Sequence, residues 1–202
     1  MKIVLMFLIA VLNVSFAFAQ DEYHKIEGGV TFLHQRISDT GGFNDSVNLN
    51  GFDVSLTKNI TRLVGIKGAF SGGFKKDDFS IPGFAPNTTL NFSFKTSVYT
   101  YMAGIQVKDN TKEKRFKPFF HALVGGATFR QTLSGDCPSD VQAACSDFSF
   151  SSTGFSAAVG AGLDVRATKR LSIRVVQADY NPIFVNDTTL SNFRIGVGLV
   201  FH

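Results

Sequence analysis

The chain has 202 residues, with 20 Lys and Arg against 16 Asp and Glu, so its formal net charge is +4 at pH 7. This mild charge, spread without a basic run, gives no indication of nucleic-acid binding, and the length suits a single domain. Phenylalanine and glycine are abundant and tryptophan is absent, a composition typical of sheet proteins with closely spaced strands and apolar surfaces.

The first predicted element is an N-terminal leader. Lys2 gives a short basic start, residues 3–14 are apolar, and the sequence AFA at 17–19 has the small-x-small pattern that precedes cleavage. We therefore expect residues 1–19 to be a signal peptide and residues 20–202 to be the mature domain. A membrane anchor is the alternative, but the apolar run is near the lower limit for a helical span.

Eight segments then alternate bulky apolar residues with small or polar ones, the period of two that is typical of β-strands. They cover residues 24–37, 49–57, 62–74, 90–107, 117–132, 153–167, 170–184 and 190–201. Most are long enough to cross a bilayer as tilted strands. Breaks in the alternation predict β-bulges near 96–98 and 175–176, although the upper part of the fourth segment could instead rise above the lipid.

The connections between the segments alternate in length. The first, third and fifth, residues 38–48, 75–89 and 133–152, are long, whereas the even-numbered connections tend to be short. The seventh, VNDTT, is a partial exception because it is short. An up-and-down transmembrane barrel predicts this difference, because its periplasmic turns are short and its extracellular loops are long. A soluble sandwich has no reason to sort its loops in this way.

The fifth connection contains Cys137 and Cys145. An exported chain meets an oxidising compartment, so we expect a disulfide between them. A metal pair is the alternative, but two cysteines with no histidine nearby make a weak metal site.

The second face of each segment carries Gly, Ala, Ser and Thr with sparse charges, which suits the crowded interior of a narrow barrel. Charges of both signs there are expected to pair in a network, because an unpaired buried charge is costly. The residues assigned to this interior network are Glu27, Asp53, Lys67, Asp164, Arg174, Asp179 and Arg194. Arg166 belongs either to this set or to the solvated rim.

The leader, the eight segments and a last strand with a closing aromatic resemble the small bacterial outer-membrane β-barrels of the OmpA/OmpX kind. The last hairpin, RLSIRVVQADYNPIF followed by NFRIGVGLVF, resembles the outer membrane protein β-barrel domain family. The resemblance implies an all-β, eight-stranded antiparallel barrel in the bacterial outer membrane, with lipid and the barrel-assembly machinery as partners. It also implies a C-terminal assembly signal formed by Phe193, Ile195, Val197, Leu199 and Phe201. His202 departs from the pattern, because many family members end on the aromatic itself.

Little catalytic chemistry is indicated. The four histidines have no metal-ligand spacing and no nucleotide-binding glycine motif follows a strand, so we expect no metal and no cofactor. The favoured interpretation is a non-catalytic surface scaffold that displays the long loops, where binding tends to reside. Phe148 and Phe150, beside the cysteine loop, belong either to an outer aromatic girdle or to a contact patch for a partner.

Three other interpretations stay open. Eight strands leave an interior filled by side chains, so a pore would have a small, gated conductance. An enzyme that modifies lipid A acyl chains would need a nucleophile, a base and a carboxylate at the outer rim. Its candidates are His34, Asp147, Ser151 and Ser152. A soluble, lipocalin-like binder is the alternative fold.

Overall fold

The computed structural model of the chain describes residues 23–39, 46–82, 89–136, 148–185 and 188–202. These residues form nine strands: β1 Ile26–Asp39, β2 Ser46–Asn59, β3 Val64–Pro82, β4 Thr89–Lys108, β5 Phe116–Asp136, β6 Phe148–Arg166, β7 Leu171–Tyr180, β8 Ile183–Val185 and β9 Thr188–Phe201. Strands β1 to β7 pair antiparallel in chain order, β7 and β8 both pair with β9, and β9 pairs with β1, so the sheet closes into a barrel. Within the described ranges, no helix has the length and hydropathy to span a membrane.

Strands β7 and β8 share one position in the ring. Asn181 and Pro182 interrupt the strand between them, and Pro182 has no backbone N–H to donate to a ladder. Both strands pair with β9 on one side and with β6 on the other. The ring therefore has eight positions, and the predicted eight-stranded antiparallel barrel is confirmed.

The alternation of side chains gives the barrel wall two unlike faces. On β1, Leu33 and Gln35 are buried inside the barrel, whereas Val30 and Phe32 lie outside with about half of their surface exposed. The same pattern continues around the ring, and the exposed outer face is apolar. The five residues of the expected assembly signal all lie on this face: Phe193, Ile195, Val197, Leu199 and Phe201.

The bulge predicted near residues 175–176 is confirmed. Arg174 pairs with Gly198 and Gln177 with Gly196, so two residues of β7 stand opposite one residue of β9. The extra residue changes which side chains face inward. Without it, Arg174 and Gln177 could not both point into the barrel, as they do.

The bulge predicted near residues 96–98 is wrong. Strand β4 keeps a continuous register with β3 and with β5 along its whole length. Thr96, Val98 and Thr100 are all buried on the inner face. The apparent change of parity arises because Phe92, in the upper part of β4, is an apolar residue that shares this inner face.

The strands are joined by short turns at the lower end of the barrel and extend further at its upper end. At the lower end lie Tyr23, the last residue of the chain and the turns at 60–63, 109–115 and 167–170. At the upper end, β3 extends to Pro82 and β6 begins at Phe148. The described parts of the long connections predicted at 75–89 and 133–152, residues 75–82, 89, 133–136 and 148–152, are therefore strand rather than loop.

A belt of aromatic side chains marks the upper limit of the apolar outer wall. It contains the ring pairs Phe74–Tyr99 (centroids 5.6 Å apart), Phe155–Phe184 (5.9 Å) and Tyr180–Phe193 (5.0 Å). Above it, outward positions on several strands become polar, as in Asn48, Lys76, Lys95, Arg130 and Ser151. We call this belt the outer aromatic girdle, the arrangement expected where a barrel leaves the bilayer.

Candidate functional site

Two regions could carry function: the barrel lumen and the part of the sheet that rises above the girdle. In the lumen, the structure places all seven residues assigned to the interior network. Each is at most 3 % exposed: Glu27, Asp53, Lys67, Asp164, Arg174, Asp179 and Arg194. Each lies at an inward position of its strand.

The lower layer of the lumen is organised around Asp164. Lys108 Nζ lies 2.5 Å from Glu27 Oε2 and 3.2 Å from Asp164 Oδ2. The Arg174 guanidinium donates to both oxygens of Asp164, at 2.9 and 3.2 Å. It also lies over the Phe119 ring, 4.4 Å from the centroid, a cation–π contact.

The upper layer is organised around Asp179. Arg194 donates to Asp179 Oδ2 at 2.9 Å and to the Ser71 hydroxyl at 3.2 Å. His121 Nε2 lies 3.2 Å from the other oxygen of Asp179. Gln177 joins the two layers, because it accepts from Arg174 at 2.8 Å and donates to Asp179 at 2.8 Å.

Two predicted residues stand apart from these ion pairs. Asp53 is buried, but its Oδ1 has no hydrogen-bond partner among the described residues. Lys67 lies 3.5 Å from His121 Nδ1 and 5.8 Å from the centroid of Phe119. Arg166 lies half-buried at the lower rim, where its guanidinium donates to the Lys112 carbonyl.

Sequence reasoning missed four titratable lumen residues, Lys108, Lys117, His121 and His202. Lys108 is the last residue of β4, one position past the predicted segment. His121 lies within the apolar run FFHALV, which masks the alternation. His202 Nδ1 lies 3.1 Å from Glu27 at the bottom of the lumen. Strict counting of inward parity on β5 and β9 could have found the two histidines.

Apolar side chains occupy the lumen above the charged layers. The buried cluster consists of Ile37, Leu49, Val98, Ala127 and Ile183. Below it, Asn192 donates to Gln35 and to Asn181, each at 3.2 Å. The described side chains thus form successive charged, polar and apolar layers inside the barrel, from the lower end to the mouth.

The second region is a four-stranded projection that we call the upper sheet, formed by residues 75–82, 89–97, 130–136 and 148–154. Its outer face is polar, with Lys76 donating to Asp78 at 2.9 Å. Its inner face is mostly apolar, although Lys75 and Asp77 also lie on it as an ion pair, with Nζ 2.7 Å from Oδ2. On this face Phe79 stacks on Phe92 with ring centroids 5.5 Å apart.

Phe148 and Phe150 lie on the inner face of this upper sheet. They share the parity of Ser156, which is buried in the barrel, and not that of Phe155, which faces outward in the girdle. They are 67 % and 49 % exposed, respectively. The girdle interpretation is therefore wrong for these two residues, because they lie above the girdle and on the opposite face.

The proposed enzyme constellation is not assembled by the described residues. His34 faces outward on β1 and its Nδ1 lies 2.8 Å from Asn50 Oδ1. Ser151 and Ser152 are on β6, which β7 and β9 separate from β1 in the ring. Asp147 lies outside the described residues. No group of three or more potential metal ligands occurs in the described parts of the chain.

Cys137 and Cys145 also lie outside the described residues. Their disulfide therefore stays a prediction from the sequence and from the oxidising compartment in which an exported chain folds.

The closed antiparallel ring with an apolar outer wall fits one family model, described as outer membrane protein beta-barrel domain, which matches residues 4–201. The chain belongs to this family. The protein is thus a transmembrane β-barrel of the bacterial outer membrane, and its apolar wall contacts lipid. The soluble, lipocalin-like alternative is wrong. In such barrels the short turns face the periplasm and the long connections face outward, so the upper sheet is extracellular.

Solved structures show the same fold. Ail, the attachment invasion locus protein of Yersinia pestis, in complex with the heparin analogue sucrose octasulfate, is 18% identical with a TM-score of 0.56, over 88% of this chain and 100% of that chain. Neisserial surface protein A is 16% identical with a TM-score of 0.52, over 89% and 98%. No curated protein matches the chain.

Proposed function

We propose that this barrel is a non-catalytic surface-interaction protein whose working part is the upper sheet. The observation that carries the proposal is the apolar inner face of a sheet that rises above the membrane. Phe79, Ile81, Phe148 and Phe150 each expose at least 45 % of their surface there. Soluble surfaces rarely keep a contiguous apolar patch without a partner.

The upper sheet also has two strand edges without a partner strand in the observed pairing. The β2–β3 pairing ends at Asn50 and Phe74, so residues 75–82 of β3 have no strand beyond them among the described residues. The pairing of β6 with β8 ends at Phe155 and Phe184, so residues 148–153 have no partner strand in the described ranges either. An unpaired edge can accept another strand through main-chain hydrogen bonds.

Together these features favour an extended peptide as the partner. Such a peptide would add to a free edge and place every second side chain, when apolar, on the inner face of the sheet. A sulfated sugar like the one in the Ail complex fits less well. Lys75 and Lys76 are each paired with a carboxylate, at 2.7 and 2.9 Å, so they offer no free cluster of positive charge.

The filled lumen supports the same proposal. Ion pairs cross the barrel interior and an apolar cluster occupies its mouth, so the barrel serves better as a rigid support than as a pore. The leader at 1–19 and the assembly signal in β9 complete the proposal, since both would bring the chain to the outer membrane.

A peptide selection tests the proposal. Phage-displayed peptides are selected on the protein folded in detergent micelles, and the recovered peptides are measured against variants. We expect peptides that alternate apolar and polar residues, and we expect the double variant Phe148→Ser, Phe150→Ser to lose their binding. The matched control is Lys76→Ser, Lys95→Ser on the outer face, which should retain it.

Two results would contradict the proposal. One is the recovery of no alternating apolar peptide. The other is equal binding by the inner-face variant and the control. Each variant is first shown to be folded by the faster gel migration of its unboiled form, so that a lost barrel is not mistaken for a lost site.

A further inference from the structure

The outer wall of the barrel carries a groove that the surface-interaction proposal does not use. It has a volume of 590 Å³ and crosses strands β2, β1, β9 and β7 at the level of the outer aromatic girdle. Its outward-facing polar lining residues are His34, Arg36 and Asn48, and its apolar ones include Tyr180, Phe193 and Ile195. Asp179 and Arg194 also line it, but their side chains are buried in the lumen and pair with each other at 2.9 Å.

The strand register fixes the height of these side chains. Arg36 pairs with Phe193, which in turn pairs with Tyr180. His34 pairs with Ile195 one step lower on the same wall. All point outward, so Arg36 lies at the same height as the Phe193 and Tyr180 rings, where the barrel leaves the outer leaflet.

The apolar part of the groove continues into the lipid-facing wall. Phe32 lies below His34 on β1, and Val197 lies below Ile195 on β9, and both are exposed on the outer face. The groove is therefore amphipathic along the membrane normal, with its polar groups toward the cell exterior and its apolar groups toward the bilayer centre.

The outward-facing charge of the groove is that of Arg36, and it has no counter-ion among the described residues, because Asp179 is buried in the lumen and paired with Arg194. Arg36 is exposed and makes no hydrogen bond or ion pair with any residue in the described ranges. The outward positions described on β1, β2, β7 and β9 carry no Asp or Glu. His34 is held in place by Asn50, at 2.8 Å.

We propose that this groove binds one phosphorylated lipid of the outer leaflet. The phosphate lies against Arg36 and His34, and an acyl chain follows Phe193, Ile195 and Val197 toward the bilayer centre. Arginine is suited to this role because its planar guanidinium can donate two parallel hydrogen bonds to a phosphate. At this depth of the membrane, lipid is the ligand in direct reach of the groove.

Native mass spectrometry of the protein in detergent tests the proposal. The probes are a lipid A that carries its phosphates, the same lipid with the phosphates removed, and inorganic phosphate. We expect one phosphorylated lipid to bind per barrel, with weak binding of the other two probes. We expect Arg36→Ala to weaken binding roughly ten-fold, the effect of losing a hydrogen bond to a charged group.

The matched control is Arg130→Ala. Arg130 is an exposed, outward-facing cation on β5 above the girdle, but it does not line the groove. This variant should bind the phosphorylated lipid like the wild type. Arg36→Lys keeps the charge but not the paired donors, so its affinity should fall between those of the wild type and Arg36→Ala.

Three results would overturn the proposal. Equal loss in the two alanine variants would mean that the lipid responds to general positive charge and not to the groove. Equal binding of the dephosphorylated lipid would leave Arg36 without a role. Tight binding of inorganic phosphate would identify a soluble anion as the ligand. The outcome is independent of the peptide selection, because no groove residue belongs to the upper sheet.

Discussion

Lys108 Nζ lies 2.5 Å from Glu27 Oε2 across the lumen, although their strands, β4 and β1, are not neighbours in the ring. The same ammonium lies 3.2 Å from Asp164 on β6. One buried cation thus ties three strands together through the barrel interior rather than along its wall. We therefore expect these interior ion pairs to stabilise the folded barrel.

Replacing Lys108 should destabilise the barrel. Lys108→Met leaves Glu27 and Asp164 without their shared cation in a buried site, and breaking a buried ion pair costs about 3–5 kcal/mol. The measurement is the free energy of unfolding in urea, with the protein folded in lipid vesicles. Lys76→Met is the control, since the Lys76–Asp78 pair is exposed and such pairs contribute at most about 1 kcal/mol. Similar losses in both variants would contradict the structural role of the network.

The filled lumen should conduct ions poorly. We expect little or no conductance from the wild-type protein in a planar bilayer, and more from Arg174→Ala. Arg174 holds Asp164 and Gln177 and covers Phe119, so its removal opens the middle of the lumen. Arg166→Ala, at the rim, is the control and should resemble the wild type. A large steady conductance of the wild type would instead favour a pore.

The last strand should act as an assembly signal through its outward apolar residues. We expect Phe201→Ser to lower the amount of folded protein in the outer-membrane fraction. The control is Phe116→Ser, because Phe116 is also exposed on the outer face near the lower end but lies outside β9. Equal loss from both substitutions would show a general need for apolar surface and no special role of the terminal strand.

The predicted disulfide can be tested by alkylating the protein before and after reduction and measuring its mass. We expect Cys137 and Cys145 to resist alkylation in protein isolated without reductant and to react after reduction. Neither cysteine belongs to a described strand, so reduction should leave the unboiled form of the barrel intact on gels. Alkylation of both cysteines before reduction would show that they are free.

Acid should weaken the lower end of the barrel through His24. Burial and the nearby positive charges of His202 and Lys117 lower the pKa of His24 to about 4, from 6.5. Above pH 6.5 the folded and unfolded chains both keep this residue neutral. Between pH 6.5 and about 4, His24 takes up a proton in the unfolded chain but stays neutral in the folded chain. The free energy of unfolding therefore falls as the pH is lowered through this range.

The measurement is the urea midpoint as a function of pH for the wild type and for His24→Phe. Phenylalanine can keep the ring contact with His202, whose centroid lies 4.2 Å from that of His24, but it does not titrate. The difference in stability between the two proteins should change over this pH range in the direction that penalises the wild type. A constant difference would contradict the lowered pKa.

Much of the barrel wall could be predicted because lipid imposes a strict rule on the sequence. Outward residues such as Phe193 and Ile195 must be apolar, so the alternation of β9 is visible without a structure. Charges that have to point inward, Arg174 and Asp179, also revealed the bulge in β7. The alternation of residues within one segment, together with the requirement for apolar residues at lipid-facing positions, was sufficient to predict these features.

The predictions that were wrong concern residues at or above the girdle, where side chains no longer face lipid. Above the girdle the apolar face of the sheet is the inner one. Phe92 and Phe148 therefore point inward, whereas Phe155, which lies in the girdle, points outward. The sequence does not show at which residue a strand leaves the lipid. The contact of Lys108 with Glu27 was also beyond prediction, because it depends on the width of the closed ring and not on neighbouring strands.

The barrel is expected to fold without the upper sheet, and gel mobility of a shortened variant can show whether it does. Residues 76–95 are replaced by an Asn-Gly turn, which joins Lys75 to Thr96, partners in the β3–β4 register. We expect this variant still to fractionate with the outer membrane and still to migrate faster unboiled than boiled. Loss of that mobility difference would contradict the account, because the upper sheet would then be part of what holds the barrel together.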